Sequence, residues 1–342
     1  MNLLVTGGAG FIGSNFIPYM LEQHEDINII NLDKLTYAGS TDNLQEVRNH
    51  PRHTFIQGDI CDEELLIRLF EEYQIEGVIH FAAESHVDNS IKNPKSFIET
   101  NVLGTYNLLN IAKGFWMDGI GSFKPELEHA RFLHISTDEV YGTLGAKGFF
   151  TEETPYAPNS PYSASKASSD LLVRSYYHTY GMNVVTTNCS NNYGPKQHNE
   201  KLMPTIIRKA LAFEKIPIYG DGQNVRDWLY VLDHCRAIEK VFFKGKSGET
   251  YLIGGHNERN NLEIAESICE KLNKMKPISV KGKGISTYKD LISFVEDRPG
   301  HDFRYAVDDS KLIKELGFEI KYSFDEAIEK TVSWYIRKNK DR

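Results

Sequence analysis

Short apolar runs recur through the first half of the chain, each closed by a polar or glycine-rich break. NLLVT, INIINLD, TFIQGD, GVIHFAA, RFLHIST and NVVTTNCS are rich in Val and Ile, as strands covered on both faces are. Between them lie the helix-like runs DEELLIRLFEEYQ, FIETNVLGTYNLLNIAK and SKASSDLLVRSYYHTY. Strand and helix in alternation predict a parallel sheet with right-handed crossovers, a doubly wound α/β fold of Rossmann type. After about residue 190 the pattern loosens into the long loop NNYGPKQHNEKLMP, then helices and short strands among Gly and Pro turns. This predicts a main unit over 1–190 and a smaller α/β unit over 191–342, with some elements returning to the main sheet. The breaker-rich stretch 114–130, GFWMDGIGSFKPELEHA, reads as a surface loop.

With 342 residues, 40% of them hydrophobic, the chain can build a sizeable core. A formal net charge of −8 argues against a nucleic-acid partner, which calls for basic stripes. No apolar run is long enough for a membrane span, and no charged and apolar leader follows Met1. The four cysteines, Cys61, Cys189, Cys235 and Cys269, form no CxxC pair, so neither disulfides nor a zinc site are expected. His80, His86 and His134 lie on or beside strands without a metal-ligand pattern such as HExxH. A cytoplasmic enzyme is the expectation.

LLVTGGAGFIG places Gly7, Gly10 and Gly13 where the first strand turns into a helix, a turn that lets a pyrophosphate approach the backbone at the helix N-terminus. On its own a glycine triplet also fits close helix–strand packing. Here the second strand ends in Asp33, twenty positions past Gly13, where a ribose-binding carboxylate belongs. Asp33 would repel a 2′-phosphate and so favours NAD over NADP, a preference that Lys34 softens. The next strand ends supply Asp59 and Ile60, then Phe81 to Ser85, at the edge where open sheets bind ligands. The first unit is therefore expected to hold NAD and the second mainly a substrate.

PYSASK sets Tyr162 and Lys166 four apart, on one helix face. A tyrosine acting as a base near neutral pH needs its pKa lowered by roughly 3 units, which a nearby ammonium and a nicotinamide cation would supply together. Alone, YxxxK is an ordinary amphipathic helix. Beside a dinucleotide fold and a strand-end hydroxyl, Ser136 or Thr137, it reads as a redox site. HISTDEVYG adds two adjacent acids, Asp138 and Glu139, to that strand end. Mutual repulsion raises one pKa and leaves one carboxyl protonated beside one ionised. Successive strand residues face opposite ways, so the backbone must leave strand geometry at 137 for both to face one ligand.

TGGAGFIG with YSASK resembles the extended short-chain dehydrogenase/reductase family, whose members act on nucleotide sugars. HISTDEVYG, DKLTYAG, FAAESHVD, NNYGPKQ, EKLMP, IYGDGQNVRDWLYV and EDRPGHDFRY, spread over essentially the whole chain, are similar to the dTDP-glucose 4,6-dehydratase branch of that family. The resemblance implies a tightly bound, recycled NAD, a dTDP-glucose substrate and a homodimer formed by the helices around 94–112 and 161–180. It assigns Tyr162 and Lys166 to C4 oxidation, Thr137 to the 4-oxygen, Glu139 to C5 as base and Asp138 to the 6-hydroxyl as acid. It implies cofactor contacts from Gly7, Gly10, Phe11, Ile12, Gly13, Asp33, Lys34, Leu35, Thr36, Asp59, Ile60, Phe81, Ala82, Ala83, Ser85, Thr100, Tyr162, Lys166 and Asn192. It implies substrate contacts from Ser85, Thr137, Asn191, Lys201, Leu202, Pro217, Tyr219, Arg226, Asn261, Arg298 and His301. Of these, Lys201, Arg226 and Arg298 would face the diphosphate.

Two other readings share some of these features. A nucleotide-sugar 4-epimerase needs the glycine turn and the Tyr–Lys pair, but no acid–base pair for C5 and C6. A redox-sensing binding module needs the cofactor fold, yet has no need of Tyr162 and Lys166. A 4,6-dehydratase acting on another nucleotide sugar also remains open, because the base is given by resemblance alone.

Overall fold

The computed structural model describes residues 1–278, 284–297 and 302–339. Strands form at Asn2–Thr6, Asn28–Asp33, His53–Gln57, Gly77–His80, Arg131–Thr137 and Val184–Cys189, and a seventh, Thr250–Ile253, comes from the second half of the chain. All seven pair in parallel in one sheet. Numbered along the chain, their spatial order is seventh, sixth, fifth, fourth, first, second, third. The chain thus winds outward from Asn2–Thr6 in one direction, then returns to wind in the other from Gly77–His80. The reversal opens a crevice between these two neighbours at their carboxyl ends.

Adjacent strand residues enter opposite cores, as the two-residue period requires. Leu3 and Val5 pack with Phe16, Ile17, Ile238 and Val241 on one face. Leu4 packs with Leu66, Phe70, Leu108 and Val173 on the other. The helices Phe11–Gln23 and Val231–Lys244 cover the first face, while Glu63–Tyr73, Thr105–Trp116 and Pro161–Tyr180 cover the second. Among the described residues no helix is long and apolar enough to cross a membrane.

Two segments differ from their sequence patterns. The helical run over 97–113 is not one α-helix: Ile98–Gly104 widens into π geometry between Pro94–Phe97 and Thr105–Trp116. Inside it the buried Asn101 donates to the Glu84 carbonyl at 3.0 Å and the Ser165 hydroxyl at 2.8 Å. The stretch 114–130 is not a plain loop either. The helix runs on to Trp116, whose indole is fully buried and donates to the Ile75 carbonyl at 2.7 Å. A hairpin, Met117–Gly119 with Ser122–Phe123, then follows. A tryptophan anchored across the core outweighs the local breakers.

The second half forms two small sheets beside the crevice. One orders Glu258–Asn260, Val225–Tyr230 and Asn191–Tyr193, and the other pairs Ile216–Tyr219 with Ile292–Val295. They place Asn191, Tyr219, Arg226 and Asn261 near the carboxyl edge of the main sheet.

Candidate active site

The first strand leaves the sheet through Gly7, which has φ 73° and donates its N–H to the Leu32 carbonyl at 2.8 Å. A Cβ at Gly7 would stand 2.6 Å from the Ala82 nitrogen, and one at Gly13 would stand 2.6 Å from the Gly7 carbonyl oxygen. Only hydrogen fits at either place. The helix Phe11–Gln23 starts behind Gly10 with no side-chain cap, so its first N–H groups and positive dipole end face the crevice. Asp33 sits at the end of the next strand and accepts from Ala9 N at 2.9 Å and Leu35 N at 2.8 Å. Burial pushes its carboxyl above the ordinary range, and these backbone bonds oppose that. Leu35 contributes its backbone, at φ 55°, and its side chain is not among the groups lining the cavity. Lys34 is held in an ion pair with Asp59.

A cavity of about 300 Å³ runs from this turn to the chemistry-bearing residues. Gly7, Gly10, Phe11, Ile12 and Gly13 line one part, with Asp33, Lys34, Thr36, Asp59 and Ile60 beside them. Phe81, Ala82, Ala83, Ser85 and Thr100 follow, and then Tyr162, Lys166 and Asn192. The glycine cradle, the open helix end and the oriented Asp33 carboxylate fit a dinucleotide with unmodified ribose.

At the other end the strand Arg131–Thr137 stops and Asp138–Tyr141 winds into a 3₁₀ turn. The Thr137 hydroxyl accepts from Glu139 N at 3.3 Å and fixes the turn. Strand alternation ends there, and Thr137, Asp138 and Glu139 all line the cavity. Asp138 is 2% exposed, and its Oδ2 has no hydrogen-bond partner among the described residues. Burial, then the Glu139 and Asp227 carboxylates, push its pKa well above the usual carboxylate range. Asp138 therefore keeps its proton to higher pH than an ordinary carboxyl does.

Tyr162 lies in the first turn of Pro161–Tyr180, which begins with a Ser160–Ser163 capping box and Pro161. Burial and the Glu139 carboxylate keep its phenol well above the ordinary range, and the Thr137 hydroxyl acts the other way. The protein's own groups thus hold Tyr162 protonated. The Lys166 ammonium donates to the Ile135 carbonyl at 2.8 Å, and burial brings its pKa down to about 8.

A second cavity, about 390 Å³, shares Glu139, Asn191, Asn192 and Lys201 with the first. Leu202, Pro217, Tyr219, Arg226 and Asn261 line it, while Ser85 belongs to the first. Lys201 donates to the Ser85 carbonyl at 3.1 Å. Arg226 donates to the carbonyls of Val225 (2.7 Å), Asp302 (2.9 Å) and Phe303 (3.2 Å), with its guanidinium 4.3 Å from the Tyr305 ring centre. Arg298 and His301 lie outside the described residues. Glu84, His86, Glu200, Trp228 and Tyr305, given no individual cofactor or substrate contact by the sequence, also line the cavities. All five stand in the motifs FAAESHVD, EKLMP, IYGDGQNVRDWLYV and EDRPGHDFRY, but only the distant contacts single them out. His80 is buried between the hydroxyls of Thr6 (2.7 Å) and Thr105 (3.0 Å).

A family model described as GDP-mannose 4,6 dehydratase matches residues 4–331. A dTDP-glucose 4,6-dehydratase of Xanthomonas campestris is 54% identical over 97% of this chain and 92% of its own. The solved structure of a Streptomyces venezuelae dTDP-glucose 4,6-dehydratase with NAD bound superposes with a TM-score of 0.88 at 44% identity, covering 100% of this chain and 98% of that one. That of the Bacillus anthracis dTDP-glucose 4,6-dehydratase in complex with NAD gives 0.86 at 45% identity, covering 99% and 98%.

The Asp138 proton has a measurable cost. An unfolded Asp ionises above about pH 4, whereas burial makes folded Asp138 hold its proton to higher pH. Between those two pKa values the folded state binds more protons, so stability falls as pH rises. Asp138→Asn removes this term and should be more stable than the parent near neutral pH, with the gap closing toward about pH 4. Urea midpoints across that range test it, and a variant less stable at neutral pH would mean that folded Asp138 is ionised.

Proposed function

Because the chain belongs to the dTDP-glucose 4,6-dehydratase family, we propose that it converts dTDP-glucose to dTDP-4-keto-6-deoxyglucose and water. The observation that carries this reading is the turn after Thr137, where a buried Asp138, its pKa raised, stands next to Glu139 over one cavity. An epimerase has no use for that pair.

NAD, when bound, would supply a hydride acceptor for C4 of the sugar and, once reduced, the hydride donor for C6. Tyr162 accepts the proton of the 4-hydroxyl, and Thr137 hydrogen-bonds the 4-oxygen. The arriving positive charge of the nicotinamide offsets the burial and the Glu139 charge that keep the free phenol protonated. With a ketone at C4 the C5 proton becomes acidic, and Glu139 removes it. Asp138 gives its proton to the departing 6-hydroxyl, and water leaves. Glu139 then returns a proton to C5. Lys166 holds a positive charge one helical turn beyond Tyr162. In the second cavity Lys201 and Arg226 would meet the diphosphate, while Leu202, Pro217, Tyr219 and Asn261 would surround the rest of the nucleotide. Arg298 and His301 keep their proposed substrate roles from motif resemblance alone.

The assembly we propose is a homodimer. Ile98, Leu103, Tyr106 and Leu171 are between 41% and 57% exposed on the two helical segments expected to form the interface. Replacing Leu103 and Leu171 with Arg should give a monomer in sedimentation, and an unchanged dimer would place the interface elsewhere. A cytoplasmic setting fits the cysteines, all four of which are free.

If the redox cycle closes within one turnover, dTDP-glucose should be converted by protein carrying its own NAD, without stoichiometric added cofactor. Product analysis with dTDP-, UDP- and GDP-glucose side by side checks both the reaction and the base. Formation of dTDP-galactose would establish an epimerase instead.

The two carboxylates should separate by step. Glu139→Gln should oxidise C4 but fail to exchange the C5 proton with D₂O. Asp138→Asn should permit that exchange yet eliminate water slowly. Each loss should reach about 10²–10⁴-fold. A substrate with fluoride at C6, which needs little protonation to leave, should rescue Asp138→Asn far better than Glu139→Gln. Equal rescue would mean that the roles are shared or reversed.

A further inference from the structure

The helix that carries Tyr162 and Lys166 brings a third polar group to the same face. Asp170 lies four residues past Lys166, one turn along, and is buried. It lines neither cavity. A carboxylate removed from water needs partners for its lone pairs, and here they come from three other segments. His134 Nε2 is 3.1 Å from Oδ1. Ser136 Oγ at 2.9 Å, Tyr156 OH at 3.1 Å and Asn188 Nδ2 at 3.1 Å all donate to Oδ2. Among the described residues His134 has no partner at Nδ1, which fits a neutral ring with its proton on Nε2.

The same groups grip the backbone just ahead of the reactive turn. Asn188 Nδ2 also donates to the Thr137 carbonyl at 3.0 Å, and Lys166 Nζ donates to that of Ile135 at 2.8 Å. Ser136, bonded to Asp170, lies between them. Three consecutive residues at the strand end are thereby tied to one helix turn.

We propose that Asp170 is a positioning residue, the buried counter-charge of Lys166 and the anchor that fixes the Thr137–Glu139 turn through Ser136 and Asn188. The inference rests on the role proposed above for Lys166. Around this pair stand His80 and His134 from neighbouring strands, Cys189 at the end of the next, and Tyr162 on the helix. Asp138, Glu139 and Tyr141 come from the turn, and Tyr156 from the segment before the helix. Burial lowers His134 to about 4 and also lowers His80, so neither adds a positive charge near neutral pH. Burial raises the Cys189, Tyr141 and Tyr156 groups, so they stay neutral. Asp170, itself held below the ordinary range by His134 and Lys166 against its burial, is the first group opposing the burial that lowers Lys166. Without its charge Lys166 would lose its proton at lower pH.

The test compares the full-length parent with Asp170→Asn, Lys166→Met, the double variant and Tyr156→Phe, by urea unfolding and by kcat against pH. Asp170→Asn should move the alkaline limb of the profile to lower pH by about one unit or more. Tyr156→Phe, which removes one donor and keeps the charge, should leave that limb in place. The unfolding midpoint lost in Asp170→Asn should be largely regained in Lys166→Met/Asp170→Asn, where neither charge is buried. If Asp170→Asn does not fold, folding of the double variant supports the pairing, and failure of both overturns it. Additive losses in the double variant overturn it too, as does an equal shift of the limb in Tyr156→Phe. An alkaline limb that persists unshifted in Lys166→Met would sink the role of Lys166, while the unfolding cycle still decides the pairing.

Discussion

Parallel strands must all finish at the same edge, and this constraint organises the molecule. Hydrogen-bonded side by side, Asn2–Thr6, Asn28–Asp33, Gly77–His80, Arg131–Thr137 and Val184–Cys189 deliver the residues that follow them to one crevice. Gly7, Asp33, Phe81, Thr137 and Asn191 are far apart in sequence and meet there because the sheet is parallel. The winding reversal between the first and fourth strands provides the gap. Close packing sets its depth, since a single added carbon at Gly7 would collide with the backbone of Ala82.

Local rules were legible in the sequence. The glycine turn, Asp33 at its strand end and the Tyr162–Lys166 spacing follow from turn and helix geometry, and each stands where its spacing placed it. The break in strand geometry at Thr137 was legible too, because two adjacent acids cannot otherwise share a cavity. Features that depend on distant partners were not. The π segment over Ile98–Gly104 accompanies Asn101 reaching Glu84 and Ser165, contacts that no periodicity encodes. Trp116 extends its helix through a breaker-rich stretch because its indole bonds Ile75 across the core. Asp170 reads as one polar position on an amphipathic helix, and its four partners come from three other stretches of chain.

Burial is the common tuning device at the site. It raises Asp138 and Tyr162 and lowers Lys166 and His134, in every case disfavouring the charged form. A dry site also strengthens whatever charges remain. Each group so treated costs stability, and the sheet and its two cores must carry that cost. The site therefore sits against the rigid sheet edge, where Leu3, Leu4 and Val5 are wholly buried a few residues from the cavity. A looser support would admit water, and the carboxyl of Asp138 would then relax toward its ordinary pKa, against the acid role proposed for it.

The loop after Val184–Cys189 joins the two cavities mechanically as well as spatially. Asn15 donates to the Pro195 carbonyl at 3.0 Å, and Lys196 to that of Ser14 at 3.1 Å, which pins the loop to the cofactor-side helix. Tyr335, on Phe324–Lys338, donates to the Gln197 carbonyl at 2.7 Å and holds the loop from the other side. Lys201 then closes onto Ser85. Residues of the segment 192–201 thus border both cavities while the segment is fastened at both flanks. A cofactor that must survive many turnovers and a substrate that must leave after each make opposite demands on this loop. The fastenings at Pro195, Lys196 and Gln197 bind the loop to the main body, and Leu202 and Tyr219 line the second cavity beyond it.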